Sequence, residues 1–513
     1  MVQQERLDGL RGAAERNRRG QFATPPALAL DIAKYARSKR RNRPGTVRFL
    51  DPAIGSGSFY SAFRHAFSEN AISAAIGIEL DPDAAKVAAS LWGETGLRVT
   101  LGDFTKADPP RGNERFDVVL TNPPYVRHHH LDRAEKRRLK TAVVRDLGIE
   151  VSGLAGLYCY FLLLCDRWLA DNGLAVWLVP SEFMDVNYGV AVKRYLTEDV
   201  KLLHIHRFCP SDVQFADALV SSAVVVFEKS RVTRSHSVLF SFGGSLRRPT
   251  LKQSVRLSEI RAASKWSNYP NGQPHRSNET GTGVKFGDLF QIKRGLATGA
   301  NRFFILPRDE ATRRGIPGEC ARPILPSPRY LQQPVIDADS DGYPRVRPVL
   351  SLVDCRLAPD EIQSRFPALW DYLHDGEAEG IHERYLTSRR TPWYSQEKRL
   401  PAPFLCTYMG RAENGRQPFR FYWNKSQATA GNVYLLMYPR AALKRVLEED
   451  PRQYAVVFSM LRELDTHRFI AAGRVYGGGL YKMEPLELGR LSAQPLLDAI
   501  ASLESGRQLA LFD

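Results

Sequence analysis

Cysteine is scarce and scattered in this chain of 513 residues. Cys159, Cys165, Cys209, Cys320, Cys355 and Cys406 contain no CxxC pair, so neither a zinc site nor a disulfide framework is indicated. Such usage fits a reducing compartment, and a cytoplasmic setting is expected. Long apolar runs are missing too. None reaches the ~18 residues of a membrane span, and the N-terminal stretch lacks a signal-peptide core, so no membrane partner is expected. No internal repeat or low-complexity tract stands out. Acidic residues are the last deficit: 56 Asp and Glu against 72 Lys and Arg leave a formal net charge of +16. That excess suits a polyanion, because each phosphate contact by Lys or Arg also releases a counterion. Taken alone, it is equally compatible with a solvated surface.

What remains is ordinary globular material, 43% hydrophobic and 25% charged. A chain this long exceeds one core, and two or three domains are expected. Up to about residue 230, apolar strands alternate with helix-period segments. The strands fall at Val47–Leu50, Ala75–Glu79, Arg98–Leu101, Phe116–Leu120, Leu174–Val179, Leu202–His206 and Ala223–Glu228. Pro82–Leu91 and Leu157–Leu169 read as helices between them. Alternation of this kind predicts an α/β domain with a doubly wound, mostly parallel, seven-stranded sheet. Beyond it the texture turns to loops rich in Pro, Gly, Arg and Ser, with helices at Ala441–Glu449 and Ala455–Glu463. The predicted division is a first domain over 1–235 and an α+β domain over 236–513, with the polar stretch Ser264–Thr282 as a loop-like connection.

Asn122-Pro123-Pro124-Tyr125 follows the apolar run Phe116 to Thr121. It therefore sits at the C-terminal end of a buried strand, where open α/β sheets place their ligands. Two prolines lock the backbone and remove two amide donors, leaving carbonyls for a ligand. Asn adds another acceptor, and Tyr a flat face. Acceptors beside a π-surface suit the exocyclic amino group of a flat heterocycle. A simple strand-ending turn is the competing reading.

Three earlier strands end in acids. Phe49 to Phe59 is a strand opening into a loop with Gly55 and Gly57, where the backbone can approach a ligand closely. The loop departs from the dinucleotide fingerprint, because no third glycine follows and an acid, Asp51, sits at the strand end, where it would repel a pyrophosphate while suiting a cation. Glu79 closes the next strand, where a carboxylate can accept both ribose hydroxyls. Asp103 and Phe104 follow the third, an acceptor and an aromatic for an adenine ring. Singly, each acid is a helix cap or loop residue. Their recurrence at successive strand ends favours a positively charged adenosine, which S-adenosylmethionine is.

These motifs resemble the γ-class amino-methyltransferases of DNA, in particular the N6-adenine methyltransferases of restriction-modification systems, such as the TaqI, PstI and BsuBI modification enzymes. Gly20 to Pro26 resembles the family's N-terminal motif, which packs over the cofactor's methionine end. Asp51 to Gly57, Glu79, Asp103-Phe104 and Asn122 to Tyr125 follow in the γ order, and Phe215 matches the place of a second base-stacking aromatic. The resemblance covers roughly residues 15 to 230. It is thinner at Lys293 to Asn301 and Tyr476 to Leu480, which resemble segments of target-recognition domains. It implies a bacterial or archaeal enzyme with a methyltransferase domain using S-adenosylmethionine, a DNA target-recognition domain, and double-stranded DNA as partner. Whether a cognate restriction endonuclease accompanies it stays open. Asn122, Pro123, Pro124, Tyr125 and Phe215 are the implied catalytic set. Thr24, Asp51, Ala53, Gly55, Gly57, Glu79, Leu80, Asp103, Phe104 and Asn122 are the implied cofactor set, with no metal.

The chemistry follows from the substrate. Adenine's amino lone pair is delocalised into the ring. If Asn122 Oδ1 and the Pro123 carbonyl accept its two hydrogens, the nitrogen becomes tetrahedral and attacks a sulfonium methyl directly. No Pro-Cys motif is present for covalent cytosine-C5 chemistry. The base must leave the stack, at a cost of a few kcal/mol, and stacking on Tyr125 and Phe215 would return ~1–3 kcal/mol each. Core packing is the alternative for Phe215.

Arg127 to His130 reads as a loop lining a DNA groove rather than a metal site. Arg37 to Arg43 reads as a solvated connection, and Arg133 to Lys140 is balanced between solvent and phosphates. Ser388 to Tyr394, with Arg411, Arg416, Arg420 and Lys425, sets cations among aromatics, a mix that can read guanine edges or hold phosphates. Trp393 and Trp423 read first as core residues. Two rival functions remain: an RNA-base or protein-glutamine methyltransferase with the same motif chemistry, and a catalytically inactive DNA-binding specificity subunit.

Overall fold

The structure, a computed structural model, describes residues 15, 19–40, 45–209, 212, 214, 221–233, 235–270, 283–411, 417–464, 469–470, 472–476 and 480–499. Contacts divide the chain into two compact units that part at 275/276.

The first unit is built on a nine-stranded sheet in the order β3-β2-β1-β4-β5-β7-β6-β8-β9. Its strands are β1 (Val47–Asp51), β2 (Ile72–Glu79), β3 (Leu97–Leu101), β4 (Phe116–Thr121), β5 (Leu169–Pro180), β6 (Lys201–Arg207), β7 (Ser222–Glu228), β8 (Ser237–Gly244) and β9 (Pro249–Arg256). The first five run parallel to one another. β7 slots antiparallel between β5 and β6. All seven strands read from the sequence are present. Two more, β8 and β9, extend the edge, with β8 parallel to β6. They lie past residue 235, so the first unit is longer than the 1–235 domain drawn from texture. The texture misleads because Ser237–Gly244 and Pro249–Arg256 form an edge ribbon whose outer strand alternates half-buried and exposed positions, and an edge strand lacks the continuous apolar run of a central one.

Central strands show that run clearly. Val176, Trp177, Leu178 and Val179 of β5 and Val224, Val225 and Val226 of β7 are fully buried. Each such side chain contributes ~1.5–3 kcal/mol by leaving water. Helix α1 (Pro26–Lys39) turns Ala29, Ile32, Ala33 and Ala36 inward and packs on α2 (Ser58–Ala66). Its small residues permit close approach. Helix α3 (Pro82–Trp92) starts on Asp81, whose carboxylate accepts from the Asp83 and Ala84 amides, a regular N-cap. Helix α4 (Arg133–Leu147) is capped likewise by Asp132. Helix α5 (Leu157–Leu164) is shorter than read, because Cys165–Trp168 tightens into a 3₁₀ turn and β5 begins at Leu169.

The basic runs are partly structural. Arg37 and Lys39 occupy the last turn of α1, where cations suit the carbonyl end, and Arg40 is buried against Asp117. Within α4, Arg138 binds Glu135 and the Thr105 carbonyl, whereas Arg133 and Arg137 are exposed.

The second unit is α+β. A five-stranded sheet orders Phe290–Arg294, Tyr434–Pro439, Phe404–Thr407, Phe421–Asn424 and Val335–Ile336. A four-stranded sheet orders Ile305–Pro307, Leu350–Val353, Ala321–Leu325 and Thr429–Ala430. Trp423 stacks on Tyr454, and Trp393 packs on Phe303 and Phe304. Arg390 donates to the carbonyls of Ala297 and Thr298 and to Gln396, so it braces the Gly295–Asn301 loop and is not free to read a base. Arg389, by contrast, lies over the exposed Tyr385 ring. Arg416 and 477–479 lie outside the described residues. No helix among those described is long and apolar enough to cross a membrane.

Under the sheet edge, His204 Nδ1 meets Tyr35 Oη at 2.7 Å, while His204 Nε2 and His206 Nδ1 both meet Ser241 Oγ, at 2.6 and 2.8 Å. Burial pulls the His204 imidazolium down to about 3 and that of His206 to about 4. An unfolded histidine titrates near ~6.5, so the unfolded chain binds more protons between these values. Stability is lost as pH falls below ~6.5. His206→Gln is expected to lose less melting temperature than the parent protein between pH ~6.5 and ~4.5. Parallel melting-temperature curves in differential scanning calorimetry would show that the cluster plays no such part.

Candidate active site

In the sheet, β3, β2, β1 and β4 are adjacent, and all four end on the same side because they run parallel. Chain direction reverses its lateral progress between β1 and β4, and that switch point opens a crevice. A cavity of about 560 Å³ lies there, lined by Thr24, Asp51, Ala53, Gly55, Glu79, Leu80, Asp103, Phe104, Asn122 and Pro124 among others. Gly57 stands just behind it, at the N-cap of α2 with φ 91°. A Cβ at Gly57 would fall 2.3 Å from Trp92 Nε1, and that indole nitrogen donates to the Ser56 carbonyl at 3.0 Å. The glycine loop is thus closed down by α3.

The acids are tied by backbone amides. Ala53 N donates to Asp51 Oδ1 at 3.1 Å. Glu79 Oε2 accepts from Gly55 N and Oε1 from Asp81 N, each at 2.9 Å. Each carboxylate oxygen of Glu79 keeps a second lone pair for a ligand. Asp51 is 1% exposed, and burial pushes its carboxyl up to about 7. Burial raises Glu79 as well. Asp103 is more fully committed: Oδ1 accepts from Thr105 N and Oγ1, and Lys106 lies 3.3 Å from Oδ2. Phe104 is packed on Phe161 and Trp168. Leu80 is 70% exposed, an apolar group at the cavity with no core to fill.

Asn122 is the most constrained member. Its Nδ2 donates to the Phe22 carbonyl at 2.8 Å and to Thr24 Oγ1 at 3.1 Å. Its Oδ1 is buried with no hydrogen-bond partner. A buried unsatisfied acceptor costs ~1–3 kcal/mol, and such groups mark places where a ligand completes the bonding. Tyr125 does not line the cavity. Its ring packs on Phe22 and Tyr158, and its hydroxyl donates to the Leu178 carbonyl at 3.1 Å. Phe215 lies outside the described residues. Burial pushes the Cys159 thiol, on α5, up to about 12, so it is no nucleophile. Among the described residues no cluster of three or more His, Cys, Asp or Glu is arranged to hold a metal ion.

Sequence reading missed how the N-terminal motif is fastened. Gln21 Nε2 donates to Asp81 Oδ2 at 3.2 Å, with Arg19 4.0 Å from the same oxygen. Gly20 O accepts from Tyr125 N at 3.0 Å. The Asp81-Pro82 pair is a readable helix start, but nothing local points from it to residue 21.

Two family models match this chain: the Eco57I restriction-modification methylase over residues 68–215, and the C-terminal domain of the type II methyltransferase M.Eco57I over residues 276–509. The type II methyltransferase M.XamI of Xanthomonas campestris pv. amaranthicola is 29% identical over 457 residues, covering 87% of this chain and 80% of that protein. M.AccI of Acinetobacter calcoaceticus is 26% identical over 491 residues, covering 93% and 85%. Both parts of the chain are thus similar to restriction-modification methyltransferases. The chain is a DNA methyltransferase, and S-adenosylmethionine is its cofactor. The solved structure of the type IIL restriction-modification enzyme MmeI in complex with DNA shares the fold, with a TM-score of 0.56, 13% identity, and coverage of 98% of this chain and 78% of that one.

The cavity of this methyltransferase fits that cofactor. The Asp51 carboxyl, pushed up by burial, would regain its ionisation beside a cation, the Glu79 carboxylate would accept hydroxyls, and Leu80 with Phe104 would give a flat base apolar flanks. In the cofactor-free protein Asp51 holds its proton below about 7. Cationic cofactor is therefore expected to bind more tightly as pH rises through that value, by up to ~10-fold per unit. Asp51→Asn is expected to flatten this dependence and weaken binding, while raising the melting temperature of the free protein at pH ~8, since a buried charge disappears. Calorimetric titration and thermal melts measure both. An unchanged affinity profile in the variant would remove Asp51 from cation binding.

Proposed function

We propose that this methyltransferase is sequence-specific for adenine in double-stranded DNA and methylates its N6 amino group after the base has rotated out of the helix. The observation that carries the reading is the buried, partnerless Oδ1 of Asn122 at the cavity. An exocyclic amino group brings the hydrogen this oxygen lacks, and the Pro123 carbonyl is the natural acceptor for its second hydrogen. With both hydrogens held, the nitrogen's lone pair leaves conjugation with the ring and becomes nucleophilic. Bound S-adenosylmethionine supplies an electrophilic methyl on a sulfonium. Catalysis by the chain itself is then positioning plus preorganised oxygen dipoles that favour the charge growing on the amino nitrogen. Pro123 and Pro124 fix the backbone that carries these acceptors. Tyr125, packed beside Phe22, reaches the base only if its ring is uncovered, and Phe215 remains the second candidate stacking face.

The second unit supports DNA over a protein or a free RNA base as substrate. Its residues 276–509 match the C-terminal domain of a type II methyltransferase, a mass that single-residue modification does not need. A net charge of +16 fits the same partner. With Asn122 and its holding contacts intact, a catalytically inactive specificity subunit is the poorer reading.

Unmethylated DNA incubated with the protein and radiolabelled cofactor, then digested to nucleosides, is expected to yield N6-methyladenosine as the deoxynucleoside. Methylcytosine, or label in protein alone, would overturn the assignment. Asn122→Ala is expected to lower turnover by ~10²–10³-fold while cofactor affinity, read by calorimetry, stays within ~3-fold. Neutralising exposed Arg389 to Ala is expected to weaken DNA binding and flatten its salt dependence by about one contact, measured by fluorescence anisotropy across a salt series.

A further inference from the structure

We propose that Thr24 is a positioning residue for methyl transfer, one that together with the Phe22 carbonyl holds the Asn122 amide with its donors satisfied and its oxygen unbonded, rather than a cofactor contact. The inference rests on the reading of Asn122 as the acceptor for the target amino group. A primary amide has two N–H donors and one carbonyl oxygen, and rotation by half a turn exchanges them. Here both donors are used: one by the Phe22 carbonyl at 2.8 Å, the other by Thr24 Oγ1 at 3.1 Å. The flipped amide would set Oδ1 against the Phe22 carbonyl oxygen, acceptor facing acceptor, and would offer the target amino group a donor. Only the observed orientation leaves Oδ1, buried as it is, without a hydrogen-bond partner.

The segment carrying these two acceptors is itself fixed to the catalytic loop. Gly20 O accepts from Tyr125 N. A Cβ on Gly20 would lie 2.4 Å from that same nitrogen, and the residue's φ is 66°, so only glycine fits. The Phe22 ring sits 5.5 Å from the Tyr125 ring. Thr24 is 7% exposed, and two residues later α1 begins. Residues 20–24 thus form a brace across Asn122 to Tyr125. Its first part also reaches Asp81, beside Glu79, through Gln21. The resemblance of this motif to a cofactor cover accounts for none of the bonds to Asn122.

The test uses the full chain, unmethylated phage DNA and S-adenosylmethionine, with Thr24→Val and Thr24→Ser compared with the parent. Thr24→Val is expected to lower kcat by ~5–30-fold, with KM for DNA and the calorimetric Kd for cofactor each within ~2-fold. Thr24→Ser, which keeps the hydroxyl, is expected to restore kcat to within ~2-fold. Unchanged kcat in Thr24→Val overturns the proposal, as does a cofactor Kd that rises enough to explain the loss, or a serine variant as slow as valine. If the parent protein itself yields no N6-methyladenine, the reading of Asn122 fails first. If it does and the valine variant keeps full kcat, only the role of Thr24 fails.

Discussion

A buried amide with its donors satisfied and its oxygen unsatisfied is the feature on which the rest of this structure turns. The hydrogen bonds to Phe22 and Thr24 hold Asn122 against the tendency of any buried polar group to find partners at both ends. Everything needed to maintain that state comes from elsewhere in the fold. β4 carries Asn122 to the C-terminal end of the sheet's parallel strands, Pro123 and Pro124 prevent the chain from continuing as strand or helix, and the segment before α1 supplies the two acceptors. On the proposed reading, substrate binding would complete the missing bond, and energy withheld in the free protein would be recovered when an amino group arrives.

The cofactor side follows the same principle with charge in place of a hydrogen bond. Asp51 is buried at the end of β1, and its carboxyl is pushed up to about 7; Glu79 is raised from the usual carboxylate range by the same cause. Neither has a cationic partner among the described residues: Asp51 meets the Ala53 amide and the Thr121 hydroxyl, and Glu79 the amides of Gly55 and Asp81. Burial of acids without counter-charge destabilises a fold. It is tolerated here at the switch point of a sheet whose central strands bury apolar runs such as Val118 to Leu120 and Leu174 to Val179. Asp103, the third acid, is different: its oxygens are spent on Thr105 and Lys106, so its first task is to shape the turn that presents Phe104.

In the second unit cationic side chains divide by what they touch. Arg390 is consumed in holding backbone carbonyls of the Gly295–Asn301 loop, and Lys425 faces Asp337. Arg389 lies over an exposed tyrosine. Adjacent residues of the same type thus serve opposite ends, one internal bracing and the other an outward surface. Composition alone does not separate them, because an arginine's partners are fixed by which loops fold against it.

Of the seven strands read from the amino-acid order, the central ones were the most legible because strands covered on both faces are near-continuous apolar runs. Asp51, Glu79 and Asn122 were legible because polar residues that end such runs have one place to be. Strands Ser237–Gly244 and Pro249–Arg256 were not, since an edge ribbon alternates and blends into loop texture. Local order therefore determined the sheet, the row of strand ends and the chemistry of the side chains upon them. Tertiary structure alone decided that residues 20–24 grip residues 122–125, a hundred positions away, that the Tyr125 ring lies covered, and that Asn122 keeps a buried oxygen without a partner. These are contacts between segments whose sequences carry no record of each other; they exist only once the sheet has closed the distance.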